Sequence, residues 1–92
     1  MKQSSQPKII VLYEDNHVIV VNKPINIPTQ SDKSHDISLV DLVKKHLKIK
    51  YHKPSNVYLG LLHRLDRPVG GLVILAKTSK AAQRLSQQFR QR

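Results

Sequence analysis

Apolar residues fall into four short runs and two helical stripes, and the polar stretches between them mark out the elements. Ile9-Ile10-Val11-Leu12-Tyr13 is β-branched and apolar, Glu14-Asp15-Asn16-His17 supplies turn residues, and Val18-Ile19-Val20-Val21 resumes the run. The pattern predicts a hairpin of two largely buried strands. Lys23-Pro24 closes it, and Pro24 with Pro28 makes 23–36 an irregular loop ending in Ser31-Asp32-Lys33-Ser34-His35-Asp36. A helix is predicted from Ser38 as N-cap, with Asp41 in the capping-box position, Leu39, Val40, Leu42, Val43 and Leu47 as an apolar stripe, and Lys44, Lys45 and Lys48 opposite. Lys50 to Asn56, with Pro54, reads as a basic connector. Tyr58 to Leu65 is predicted as a strand, Asp66 to Gly70 as a turn and Leu72 to Ala76 as a buried strand. Thr78 or Ser79 then caps a second helix whose Ala81, Ala82, Leu85 and Phe89 recur at helical spacing. The elements describe an α+β chain with a mixed, mainly antiparallel sheet and flanking helices, without internal repeats.

At 92 residues the chain supports one small core, and a chain of this size buries only about two-thirds of its unfolded surface. No cysteine is present, which excludes disulfides and thiolate metal sites and suits a reducing compartment. The apolar runs are too short to span a bilayer. Residues 1–8 lack the apolar stretch of a secretory signal and read as a disordered leader, so a cytoplasmic location is expected by default. The second helical pattern continues to Arg92 without a Gly, Asn or Pro to end it, and four apolar strands need more cover than two short helices give. A chain cut at its C-terminal side is therefore expected.

Charge is unevenly placed, which changes the picture more than the total of +10. Residues 1–43 carry four lysines against five acids, a net of −1, whereas residues 44–92 carry twelve Lys plus Arg against Asp66 alone, a net of +11. The second half is the polyanion-facing half. Basic residues gathered in one part of a domain are the footprint of phosphate binding, so nucleic acid is the expected partner. A membrane surface fits less well, because no basic helix carries large apolar residues on its other face.

One carboxylate stands inside that basic half, in His63-Arg64-Leu65-Asp66-Arg67. In an extended segment Arg64 and Asp66 point one way while Leu65 points into the core. A guanidinium beside Asp66 would favour its ionised form, which suits a nucleophile or electrostatic stabiliser better than a general acid. The spacing alone leaves two readings open, a structural ion pair at a strand end and a nucleophile. A histidine metal site built from His17, His35, His46, His52 and His63 matches no closed zinc spacing, so no metal is expected.

The longer stretch His63-Arg64-Leu65-Asp66-Arg67-Pro68-Val69-Gly70-Gly71-Leu72-Val73-Ile74-Leu75-Ala76-Lys77 closely resembles the catalytic motif of the RluA family of pseudouridine synthases. Tyr13-Glu14-Asp15-Asn16-His17-Val18-Ile19-Val20-Val21-Asn22-Lys23-Pro24 is similar to the segment that opens the same catalytic domain. Together the two span roughly residues 9–85. The resemblance implies that residues 9–92 are the N-terminal portion of such a domain and that the protein isomerises uridine in ribosomal or transfer RNA without a cofactor. It implies Asp66 as the nucleophile, and Arg64 at the motif arginine position, holding the flipped-out nucleotide and pairing with Asp66. Arg67 would meet RNA phosphate or brace the loop, Lys23 would contact the RNA backbone or support the sheet, and His63 would serve as scaffold. The family also supplies an active-site Tyr and a basic residue from strands beyond residue 92, so these 92 residues are expected to be inactive alone.

The chain departs from the family at one place. Where the family usually has Thr-Ser-Gly, this sequence has Val69-Gly70-Gly71. Two hydroxyls are absent from the catalytic loop, which keeps a second class of function open: a noncatalytic RNA-binding module or degenerate synthase.

Overall fold

The protein is described by a computed structural model over residues 8–53 and 56–90. The expected leader, apart from Lys8, lies outside the described residues, as does Pro54 of the connector. Strands β1 (Ile10–Glu14) and β2 (Val18–Lys23) form the predicted antiparallel hairpin, but only β2 is largely buried, since β1 is the edge strand and leaves Ile10, Leu12 and Tyr13 exposed. Asp15 builds its turn, for Oδ1 accepts the N–H groups of His17 and Val18 at 2.7 and 2.8 Å while Oδ2 accepts the Tyr13 hydroxyl at 2.7 Å. A register shift between Val11 and Tyr13 bulges Leu12 out of the pairing.

Strand β3 (Gly60–Leu61) and strand β4 (Gly71–Ala76) complete a four-stranded sheet in the order β1-β2-β4-β3, antiparallel throughout. Because side chains alternate, Ile19 and Val21 of β2 share one face with Val73 and Leu75 of β4. Helix α1 (Leu39–Lys50) covers that face with Leu39, Leu42, Val43 and Leu47, and these eight side chains together with Ile27 make the core. Ser38 starts α1 as a full capping box, its hydroxyl accepting the Asp41 N–H and the Asp41 carboxylate accepting the Ser38 N–H, each at 3.1 Å. Helix α2 (Ser79–Arg90) lies against β4 and β3, and Thr78 caps it by accepting the Ala81 N–H at 3.1 Å. The α+β fold is the one the pattern predicts.

The strand predicted over Tyr58–Leu65 is the exception, since only Gly60 and Leu61 pair with β4. Side chains have taken over the backbone groups that a longer ladder would have used. His63 accepts the Ile74 N–H on its ring Nε2 at 3.1 Å, and Thr29 binds both backbone groups of Leu65. His63 also meets the Phe89 ring edge-on at 5.8 Å, so its scaffold role joins β4 to α2.

A candidate active-site loop pinned on both sides

Residues 62–70 cross the end of the sheet where β2 leaves and β4 begins. Leu65 turns inward against the core while Arg64 and Asp66 are exposed, as alternation requires, although the segment is not a paired strand. The Thr29 hydroxyl, on a residue only 3% exposed, donates to the Leu65 carbonyl at 2.7 Å and accepts the Leu65 N–H at 3.1 Å. The residue before Asp66 is thereby fixed through one oxygen atom.

The residue after Asp66 is fixed from the other side. The Arg67 carbonyl accepts the Asn26 N–H at 2.8 Å and the Lys23 ammonium at 3.1 Å. Lys23 is 1% exposed, and its Nζ donates also to the carbonyls of Pro24 and Ile27, at 2.9 and 2.7 Å. Burial, with a smaller contribution from the Arg67 charge, pulls the Lys23 pKa below that of an ordinary lysine. Of the two roles expected for Lys23, this geometry gives support of the sheet end and its loops, since the ammonium is turned away from solvent. Asn26 takes a left-handed conformation, φ 69°, which asparagine tolerates better than most residues and which aims its N–H at Arg67.

The Arg67 guanidinium bonds to segment 32–36 rather than to Asp66. Nη1 contacts Asp36 at 3.0 Å, and Nη2 contacts Asp32 at 3.0 Å and the Ser34 hydroxyl at 2.7 Å. The bonds to Asp32 and Asp36 raise the Arg67 pKa further. Asp32 is held down at about 2, first by the Ser34 hydroxyl and N–H and then by Arg67. Of the two roles expected for Arg67, bracing the loop is the one this arrangement displays.

The pair expected between Arg64 and Asp66 does not form. Neither side chain has a hydrogen bond or ion pair among the described residues. Both are solvated, and an exposed pair of this kind gains little over hydration. Asp66 instead lines an open cleft of about 250 Å³ between segments 28–32 and 64–67, with Arg64 and Arg67 beside it. The cleft thus presents a carboxylate with a fixed backbone and a free side chain next to two guanidinium groups.

The Val69-Gly70-Gly71 departure has a steric counterpart. A Cβ at Gly70 would sit 3.0 Å from the Lys23 carbonyl oxygen and 3.1 Å from Ile25, and Gly71 has φ +148°, a region that L side chains rarely enter. The loop packs closely against the turn after β2 because it lacks a side chain at position 70. Sequence reasoning missed Thr29, Asn26 and the Asp32–Asp36 segment as partners of this loop. Only the polar character of 31–36 was a signal, and it carried no address.

Residues 17–92 match the RNA pseudouridylate synthase family. An RNA pseudouridine synthase of Mycoplasma genitalium is 38% identical over 86 residues, 90% of this chain and 27% of that protein. The dual-specificity RNA pseudouridine synthase RluA of Escherichia coli K12 is 31% identical over 90 residues, covering 95% of this chain and 36% of that one. The human protein RNA Pseudouridylate Synthase Domain Containing 4 superposes with a TM-score of 0.71 at 26% identity, over 88% of this chain and 29% of its own. The chain spans about a quarter to a third of the length of the curated relatives it matches. The chain therefore belongs to the RNA pseudouridylate synthase family in its RluA-type branch.

Proposed function

We propose that the protein isomerises uridine to pseudouridine in ribosomal or transfer RNA, with Asp66 as the nucleophile. One observation carries this reading: Asp66 is the residue whose backbone neighbours are pinned on both sides while its own carboxylate stays unpartnered among the described residues, in a cleft with Arg64. Fixing the backbone on both sides places Asp66 at the cleft, and its unpartnered carboxylate is open to an incoming nucleotide.

In this reading a carboxylate oxygen of Asp66 adds to carbon 6 of the uracil ring or to the anomeric carbon of the ribose. The bond from N1 to the anomeric carbon breaks, the base turns, and C5 forms the new bond to the sugar. The C5 proton passes to water, N1 regains a proton, and the Asp66 oxygen leaves unchanged, so no oxidant, reductant or metal is consumed. The base must first leave its stack, at a cost of a few kcal/mol. The planar Arg64 guanidinium, without a side-chain partner among the described residues, can stack on the extruded nucleotide or bind its phosphate, and lysine cannot replace both functions.

Relatives about three to four times longer place most of their residues outside this segment, and the 92 residues alone are expected to be inactive. The test is tritium release from RNA labelled at C5 of uridine. Full-length protein should release tritium, and Asp66→Ala should abolish release while RNA binding persists. Equal release from both would reject the nucleophile, and binding without release by the wild type would favour a noncatalytic RNA-binding module.

A further inference from the structure

Arg67 sits beside Asp66 in the cleft, yet its guanidinium is occupied by two carboxylates and a hydroxyl from segment 32–36. That acceptor set offers the guanidinium what a phosphate group offers it: two anionic oxygens and a third oxygen, all within 3.0 Å of the guanidinium nitrogens. Resting on the reading of Asp66 as an RNA-modifying nucleophile, we infer that segment 32–36 is an internal phosphate mimic. It occupies Arg67 in the free protein and is displaced by an RNA backbone phosphate when substrate enters the cleft.

Three features support the exchange. The pairs are half-exposed, with the Arg67, Asp32 and Asp36 side chains 36, 43 and 60% accessible, so water and salt weaken them and a competing polyanionic backbone, one charge per phosphodiester, can replace them. Releasing the side chain leaves the loop backbone in place, because the Arg67 carbonyl remains held by Lys23 and Asn26. The acids also lie in the half of the chain with net charge −1 while the receptor lies in the half with +11, so the contact is an intramolecular version of the charge pairing RNA would make. Asp32 and Asp36 thus select against weak anions, and the segment opens only for a ligand that offers further contacts in the cleft.

Fluorescence anisotropy of a short single-stranded, uridine-containing RNA on the full-length protein tests this. Asp32→Asn with Asp36→Asn should tighten binding about 3- to 10-fold at low salt. Asp36→Asn alone should move affinity the same way by less, which serves if the double variant is poorly folded. The gain must vanish in an Arg67→Gln background, where no receptor remains to be unmasked. An equal gain with and without Arg67 would show a general charge effect and overturn the proposal, as would no gain at all. The assay reads binding only, so loss of the coupling with tritium release intact would remove the mimic and leave Asp66, whereas intact coupling without release would do the reverse.

Discussion

Thr29 serves both backbone groups of Leu65 with one oxygen, so removing that oxygen strands an N–H and a C=O beside Asp66. Leaving partly buried backbone groups unpaired costs about 1–3 kcal/mol. Thr29→Val should lower unfolding free energy by that amount and reduce turnover, while Thr29→Ser should keep most of both; urea unfolding and tritium release read the two effects. Restoration by serine identifies the hydroxyl rather than the methyl as the positioning group. The motif residues Asp66 and Arg64 were legible through the resemblance of the longer stretch around them, since their residue types and spacing alone left a structural ion pair open. Thr29 was not, because a lone threonine in an irregular loop has no periodicity, and its partner lies 36 residues away. Lys23 was legible as a residue of interest, but its burial depends on how the loop folds back over it.

The elements were easier to read, since each is announced locally. The β1–β2 hairpin has Asp15 in its turn, α1 has Ser38 and Asp41, and α2 has Thr78. The strand before the motif was overextended in the reading because Tyr58–Leu65 looks like a strand from its own residues. What ends it at Leu61 is His63 and Thr29 taking over its backbone pairing. The far end of the sheet is fastened by Glu14, whose carboxylate receives Lys77 at 2.7 Å, Tyr51 at 2.7 Å and Lys50 at 3.0 Å, joining β1, the end of β4 and the end of α1. Burial pushes the Glu14 pKa up, but bonds from Lys77, Tyr51 and Lys50 outweigh it and bring it from 4.5 to about 2. A depressed carboxylate pKa stabilises the fold above its unfolded value and loses that contribution as pH falls from about 4.5 through about 2. Glu14→Gln should therefore destabilise the protein at pH 7 by roughly 3 kcal/mol, by the usual 1.4 kcal/mol per pKa unit. The difference from wild type should shrink towards pH 2; urea unfolding across that range checks it, and a pH-independent difference would show that the network acts through packing alone.

Across the whole molecule, the two sheet faces are unequally covered. One carries the core under α1, while on the other Ile10, Tyr13 and Leu72 remain 57, 53 and 57% exposed. Cations are spread along α1 and α2 as Lys44, Lys48, Lys80, Arg84 and Arg90, away from the core. If the proposed RNA substrate binds along these helices, its affinity should fall steeply with salt, by a slope of about −0.7 per phosphate neutralised on a single strand. Lys80→Gln with Arg84→Gln should flatten that slope without changing which RNA is preferred, measured by anisotropy titrations from low to moderate salt. The net +11 of the second half was plain in the sequence, whereas the placing of its one acid against an opposing acidic segment required the folded chain.

The central claim is that Asp66 forms pseudouridine, and nucleoside analysis of a single turnover tests it most directly. Full-length protein in excess over a uridine-containing substrate RNA should convert its target uridine to pseudouridine, and Asp66→Asn should give at least about a thousandfold slower conversion, in line with loss of a nucleophile. Conversion by Asp66→Asn at the wild-type rate would contradict the account.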